Sequence, residues 1–82
     1  MAETITVTYF AGLAEATGCH RERLDVAEAT VDGLRAAVAR RHGRDAGALA
    51  AASSVLDGDE LLRDPAAPIG AVVDLLPPFA GG

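Results

Sequence analysis

The start of the chain alternates apolar and polar side chains in the manner of a half-buried strand. Over residues 5–10, Ile5, Val7 and Tyr9 fall on one face, whereas two threonines and Phe10 fall on the other. We expect the face with Ile5 and Val7 to point into a core. Phe10 then lies on the outer face, where a large aromatic ring indicates a contact with a partner or a covering segment.

The strongest helical pattern covers residues 30–42. Thr30 is a suitable N-cap, and apolar residues recur at helical spacing as far as Val38. Three basic residues close the last turn, and Gly43 follows where a left-handed residue ends many helices. The sequence therefore predicts one main helix with a signal at each end.

The remaining segments have shorter patterns. We expect a short helix or turn over residues 11–18 and a strand over residues 22–26. Residues 44–54 should form an alanine-rich loop with one further helical turn lying over the sheet. Residues 55–56 and 61–62 should form the strands of a hairpin around the four-residue loop 57–60, followed by a crossing loop with two prolines at residues 64–68.

The last predicted strand covers residues 71–76. Ala71, Val73 and Leu75 alternate with Val72, Asp74 and Leu76, and the acid marks this second set as the outer face. This order of elements predicts an α+β fold, a mixed sheet with one main helix packed on one face. We expect one domain over residues 1–76 and a flexible tail over 77–82.

The composition limits which cellular compartment and which classes of partner fit this protein. The formal charge of −5 over 82 residues argues against nucleic acid as a partner. Cys19 is the only cysteine, which excludes an internal disulfide and fits a reducing compartment. The N-terminus lacks the pattern of a signal peptide, and no apolar run reaches the roughly 18 residues of a membrane span. We expect a cytoplasmic protein with no membrane partner.

Few side chains are spaced for chemistry. Cys19 lacks a recognisable catalytic partner, and we interpret it as a structural thiol. His20 and His42 show no metal-binding spacing, so no metal site is expected, and His42 is interpreted as a cation at a helix C-terminus. The acids of residues 57–60 suit a turn better than a calcium loop. Phosphate-binding and nucleophile motifs are missing, which argues against a self-sufficient enzyme.

The C-terminal segment, PPFAGG, has the composition of a projecting arm. Pro77 and Pro78 stop the strand, and Gly81 and Gly82 can enter a channel too narrow for side chains. The Gly82 carboxylate would then be a group that a partner can activate. A frayed terminus is the plainer interpretation of Gly-Gly alone. The arm is favoured because Pro77, Pro78 and Phe79 come directly after a predicted buried strand.

Three segments together resemble one family. Residues 5–13 (ITVTYFAGL), 30–34 (TVDGL) and 75–82 (LLPPFAGG) are similar, in order and separation, to the MoaD/ThiS sulfur carriers, and most to the small, sulfur-carrier subunit of molybdopterin synthase. The resemblance implies a ubiquitin-like β-grasp fold. It also implies that the protein is a non-catalytic carrier subunit of a sulfurtransferase complex in molybdenum cofactor biosynthesis.

The same resemblance assigns roles to residues. It implies that an E1-like adenylyltransferase uses ATP to adenylate Gly82, which then becomes a thiocarboxylate, while Gly81 threads the partner's active site. The chain itself would bind no cofactor. The second partner would be the large subunit of molybdopterin synthase. The implied partner-binding residues are Phe10, Leu61, Leu76, Pro77, Pro78 and Phe79.

Other interpretations stay open. Residues 55–58 and 70–72 depart from the family pattern, and related carriers supply sulfur to thiamine, cysteine or secondary-metabolite pathways. A ubiquitin-like modifier, with Gly82 joined to lysines of other proteins, would need the same tail. An inert structural module is the third possibility. The residues do not decide the acceptor, the sulfur donor or the oligomeric state.

Overall fold

The protein is a mixed β-sheet with helices packed on one of its faces. The computed structural model describes residues 2–78. Its elements, in chain order, are β1 (Glu3–Tyr9), α1 (Gly12–Thr17), β2 (Arg21–Val26), α2 (Val31–His42), α3 (Arg44–Ala51), β3 (Ser54–Asp57), β4 (Glu60–Leu62) and β5 (Val72–Leu76). Within this described range, no helix combines the length and apolarity needed to cross a bilayer.

The first and last strands lie side by side in the sheet. The strand order is β2-β1-β5-β3-β4. β1 and β5 are parallel, with Val7 opposite Val73 and Tyr9 opposite Leu75, while the other neighbouring pairs are antiparallel. Because a parallel pair needs a long crossover, the helices and the β3–β4 hairpin fill the chain between β1 and β5.

The predicted alternation of buried and outward-facing side chains in the first and last strands of the chain is confirmed. Ile5, Val7 and Tyr9 are buried, as are Val73 and Leu75 on the neighbouring strand. These side chains meet the buried face of the helices in one core. Its members are Ile5, Val7, Tyr9, Leu13, Leu24, Val26, Val31, Leu34, Ala37, Val38, Ala46, Ala50, Val55, Ile69, Val73 and Leu75.

The main helix begins where the sequence indicates. Thr30 Oγ1 accepts a hydrogen bond from the Gly33 amide at 3.0 Å, so the predicted cap is confirmed. Two of the remaining free N–H groups of the first turn donate to the crossing loop: the Val31 amide to Ala67 O at 3.0 Å, and the Asp32 amide to Pro65 O at 2.9 Å. The loop at residues 64–68 therefore fixes the start of α2 as well as leading to β5.

Three expectations need correction. Residues 44–51 form a full helix, α3, which packs against α2 and α1, because Gly47 lets two helix backbones approach and alanine favours helix. Gly43 ends α2 as expected and has a positive φ of 96°, but its ψ of −173° is not that of a left-handed helical residue. The chain continues from Gly43 directly into α3. Ala71, expected on the inner face, precedes β5 and is exposed.

The hairpin is tighter than predicted. β3 continues through Asp57 and β4 begins at Glu60, and these two residues pair. Only Gly58 and Asp59 remain in the turn, and Gly58 has φ 64°, which a residue without Cβ adopts freely. The predicted strands are confirmed, and each is longer than the apolar pair that indicated it.

Gly47 is predicted to be required for the close contact between α2 and α3. A Cβ at this position would lie 2.5 Å from Ala39 Cβ and 2.9 Å from Ala39 Cα. Gly47→Ala should therefore lower the free energy of unfolding by about 1–3 kcal/mol, although the same change in an open helix raises it by up to about 1 kcal/mol. Urea denaturation measures the difference.

The control is Gly12→Ala in α1. There a Cβ would meet Leu49 Cδ2 at 3.5 Å, an ordinary contact, and the variant should keep the wild-type stability or exceed it. A Gly47→Ala protein as stable as Gly12→Ala would contradict the argument.

Candidate functional site

The end of β5 leads the chain out of the middle of the sheet. β5 has β1 on one side and β3 on the other, and it ends at Leu76. Pro77 is half-buried and Pro78 is exposed. The rest of the predicted tail, residues 79–82, lies outside the described residues, and with it three of the predicted site residues, Phe79, Gly81 and Gly82. The structure therefore fixes the position at which the predicted arm would begin.

A group of apolar side chains lies on the outer face of the sheet beside this exit. Phe10 is 42% exposed, Leu61 40% and Val72 52%. Leu56 and Leu76 are half-buried on the same face. We call these five residues the outer-face patch. Exposed large apolar side chains grouped in this way indicate a surface that contacts another molecule.

The strand register explains how distant residues come to share the patch. Thr8 lies opposite Asp74, Asp74 opposite Leu56, and Leu56 opposite Leu61, so one row crosses four strands. Val72 and Leu76 flank Asp74 on β5. The Asp74 carboxylate thus lies inside an apolar surface, where it can orient a partner that carries a basic group.

Next to this row, Phe10 comes directly after β1. Its amide donates to Leu75 O at 3.3 Å, which extends the pairing of β1 with β5 by one residue. Ala11 follows with φ 50° and ψ −129°, a region that is strained for a residue with a Cβ. Backbone geometry therefore places Phe10 directly after β1 and beside Leu75, near the end of β5.

The structure agrees with the outer-face positions predicted for Phe10 and Leu76, and it places Leu61, opposite Leu56, on the same face. The role of all three residues in binding stays a prediction. Sequence reasoning assigned Val72 to the outer face without singling it out, and it did not select Leu56. The signal for Val72 was available, because Val72 lies two residues before Asp74, and so on the same face of a strand whose other face is buried. Leu56 needed the register of β3 with β4.

A second group of side chains surrounds Glu22 on the helix-facing side of the sheet. Glu22 lies opposite Val7, and its side chain is only 14% exposed. Tyr9 OH donates to Glu22 Oε2 at 2.6 Å, and His42 Nε2 contacts the same oxygen. Arg41 Nε lies 3.6 Å from the other oxygen, Oε1. The rings of Tyr9 and His42 meet edge to face, with centroids 6.1 Å apart.

These contacts determine the protonation of the group. Burial by itself raises the pKa of the Glu22 carboxyl, but the hydrogen bonds from Tyr9 and His42 and the charges of His42 and Arg41 outweigh it, and the pKa falls below its ordinary value. Burial, followed by the hydrogen bond to Glu22, raises the pKa of Tyr9 far above its ordinary value. Glu22 is therefore an anion and Tyr9 a neutral donor.

Sequence reasoning did not find this group. It interpreted His42 as a helix-end cation and Cys19 as a structural thiol, whereas the structure brings ligand atoms of Cys19, Glu22 and His42 within 4.8 Å of one another. One signal was available. Glu22 falls on the same face of the strand as Leu24 and Val26, so the pattern puts an acid on the buried face.

Comparisons with known proteins identify the family. No protein-family model and no curated protein sequence matches the chain. A crystal structure of SAMP1 from Haloferax volcanii matches with a TM-score of 0.72 and 30% identity, over 98% of this chain and 100% of that one. The chain belongs to the small archaeal modifier protein family. A crystal structure of small archaeal modifier protein 1 from the same organism matches with a TM-score of 0.67 and 30% identity, over 93% of this chain and 98% of that one.

Membership in the small archaeal modifier protein family confirms the fold prediction. The mixed sheet and its helices are those of a ubiquitin-like β-grasp protein. The coarse functional prediction, a ubiquitin-like sulfur carrier or modifier, is supported as well. The narrower identification with the molybdopterin synthase subunit stays a prediction.

The Glu22 contacts predict how the stability of this small archaeal modifier protein depends on pH. Folding lowers the pKa of Glu22. The contribution of the ionised Glu22 carboxylate to the free energy of unfolding is therefore complete above its unfolded-state pKa of about 4.5, and it is lost as pH falls through the folded-state pKa. Glu22→Gln removes that titration. The difference in unfolding free energy between wild type and Glu22→Gln should therefore be constant above this window and decrease below it.

The control is Glu3→Gln, which changes an exposed carboxyl on the neighbouring strand. Its stability should run parallel to that of wild type across the same pH range, measured by urea denaturation. Parallel curves for Glu22→Gln would show that the Glu22 contacts do not contribute to acid sensitivity.

Proposed function

We propose that this protein is a cytoplasmic sulfur carrier whose C-terminal glycine, Gly82, is activated by an ATP-dependent partner and then carries sulfur. It acts as the small subunit of molybdopterin synthase in molybdenum cofactor biosynthesis. The observation that carries the proposal is the outer-face patch, which lies where β5 ends and the arm begins. A partner that docks there receives the arm at its own active site.

The chemistry of the carrier is the chemistry of one carboxylate. An E1-like adenylyltransferase joins the Gly82 carboxylate to the AMP part of ATP and releases pyrophosphate, which gives a reactive acyl-adenylate. A sulfide donor then displaces AMP and leaves a thiocarboxylate. The protein contributes the docking surface and the arm, and the partner contributes the catalytic groups, so the chain is a non-catalytic subunit. Residues 2–76 hold the surface in place by the pairing of β1 with β5.

Each residue of the arm has a role in this proposal. Gly81 and Gly82 pass through a channel in the partner that excludes side chains. Pro77 and Pro78 keep the arm extended, because proline fixes φ and cannot donate to the sheet. Phe79 adds an apolar contact beyond the outer-face patch. The large subunit of molybdopterin synthase uses the same patch after activation, so the two partners exclude each other.

A second function is favoured by the comparisons, since the similar structures are described as small archaeal modifier proteins. A modifier joins the activated Gly82 to the lysine amines of other proteins. This chain contains no lysine, so it offers no side-chain amine for such links to itself. The two functions share activation of Gly82 and differ in the acceptor. Sulfur delivery to a thiamine, cysteine or secondary-metabolite pathway is the third form of the same chemistry.

Mass spectrometry of the intact protein tests the carrier proposal. Protein from cells that contain the activating partner should include a species heavier by the difference between one sulfur and one oxygen atom. That species should disappear when Gly82 is deleted and should persist when Ala2, at the other end of the chain, is changed to Ser.

The outcome separates the candidate functions. Higher-mass conjugates on an immunoblot, without the sulfur-containing species, would favour the modifier. Neither product in the presence of the activating partner would refute activation of Gly82. Loss of molybdenum cofactor in cells that lack Gly82 distinguishes the molybdopterin pathway from the others.

The outer-face patch predicts a docking variant. Leu61→Asp places a charge at an exposed patch position beside Leu56, so desolvation on docking becomes unfavourable. The KM of the activating enzyme for this chain should rise by roughly tenfold or more, while kcat changes little. The measurement is pyrophosphate release at increasing concentrations of the carrier.

The matched control is Ala36→Asp on the exposed side of α2. It adds the same charge on the helix layer, away from the outer face of the sheet, and should leave KM unchanged. Equal effects of the two variants would mean that net charge, and not the outer-face patch, controls the encounter.

A further inference from the structure

Cys19, Glu22 and His42 come together from three separate parts of the fold. Cys19 lies in the loop between α1 and β2, Glu22 on β2, and His42 at the end of α2. One ligand atom from each, the Cys19 sulfur, a Glu22 carboxylate oxygen and a His42 ring nitrogen, lies within 4.8 Å of the other two. None of the three side chains is exposed on the surface: all are half-buried.

This set of donors fits one class of metal ion. A thiolate, an imidazole nitrogen and a carboxylate oxygen are the ligands of Zn²⁺, a borderline-soft ion that accepts tetrahedral coordination. Ligand bonds of about 2.0–2.3 Å place neighbouring ligand atoms of a tetrahedron roughly 3.3–3.8 Å apart. The three atoms therefore reach this geometry by side-chain movements of an ångström or so, without a change of backbone.

The charges around the three donors also fit a divalent cation. The thiolate and the carboxylate together carry two negative charges, which a divalent ion neutralises. Arg41 faces Glu22 Oε1, whereas His42 and Tyr9 face Oε2. The Arg41 side chain is 65% exposed, so it can stay in solvent on the far side of the carboxylate. Because Oε2 already faces the His42 ring nitrogen, it is the carboxylate oxygen placed to share a metal ion with His42.

The neighbouring side chains provide the outer shell that metal ligands need. Tyr9 OH donates to Glu22 at 2.6 Å and can keep doing so when the carboxylate binds a metal, which fixes the orientation of the ligand. Thr17 Oγ1 lies 3.8 Å from Cys19 Sγ. Cys19 is also one of the residues that line an open depression of 360 Å³ on the surface, which gives an ion a path to it.

We propose that Cys19, Glu22 and His42 form a Zn²⁺ site, with a water molecule as the fourth ligand. The ion replaces the contact between His42 and Glu22 and joins the end of α2 to β2 and to the loop after α1. It lies on the helix-facing side of the sheet, opposite the outer-face patch, so the role is structural and independent of sulfur transfer. An ion bound only by the folded chain stabilises the fold.

Three measurements on the whole chain test this site. Titration calorimetry with Zn²⁺ should show one ion per chain. Cobalt(II) in its place should give the absorption of a thiolate–cobalt bond. Excess Zn²⁺ should slow the alkylation of Cys19 by iodoacetamide in the folded wild-type protein, a measurement that needs no variant.

Cys19→Ser and His42→Gln each remove one ligand, and each should weaken the affinity by at least about 100-fold, because even outer-shell partners contribute roughly 10- to 100-fold. Circular dichroism should show that both variants keep the wild-type fold. The matched control is His20→Gln, which removes the exposed histidine next to Cys19 and should leave the affinity unchanged.

Two results would overturn the proposal. One is a wild-type dissociation constant weaker than about 10 μM together with unchanged alkylation of Cys19. The other is an equal loss of affinity in His20→Gln and His42→Gln, which would show that Zn²⁺ binds exposed histidines without a defined site.

Discussion

The parallel pairing of β1 with β5 is the constraint on which the rest of the structure depends. These two strands come from opposite ends of the chain and lie next to each other in the middle of the sheet. A parallel pair cannot be closed by a hairpin, so the intervening chain must cross the sheet, and it does so as the helix layer. The same pairing carries the end of β5 to Phe10. The pairing of β1 with β5 thus determines which face of the sheet the helices cover and where the predicted arm would begin.

The two faces of the sheet have different consequences. On the outer face, apolar residues remain exposed around Asp74, and the surface lacks the helix cover that would make them part of a core. On the inner face, the Glu22 carboxylate lies near buried side chains and needs hydrogen-bond donors to compensate for the loss of water. Tyr9 and His42 supply them. The outer face therefore leaves apolar side chains in contact with solvent, while the polar group around Glu22 joins the end of α2 to β2.

Much of the fold could be predicted from the sequence because its signals are local. The alternation of Ile5, Val7 and Tyr9 and the cap at Thr30 each depend on a few neighbouring residues, and the structure confirms them. The helix α3 was underestimated because its stability depends on close packing against α2 at Gly47, a contact between elements that no local pattern reveals.

The sequence by itself determined the strand and helix patterns, the single cysteine, the acidic charge and the family resemblance carried by residues 5–13, 30–34 and 75–82. Only the tertiary structure decided which side chains meet. Glu22 and His42 are 20 residues apart, and their contact depends on how α2 lies on β2. Leu56 and Val72 share a surface because of strand register. The periodicity of apolar residues depends only on neighbouring positions in the chain, whereas the distances between helices and strands follow from the packing of the whole core.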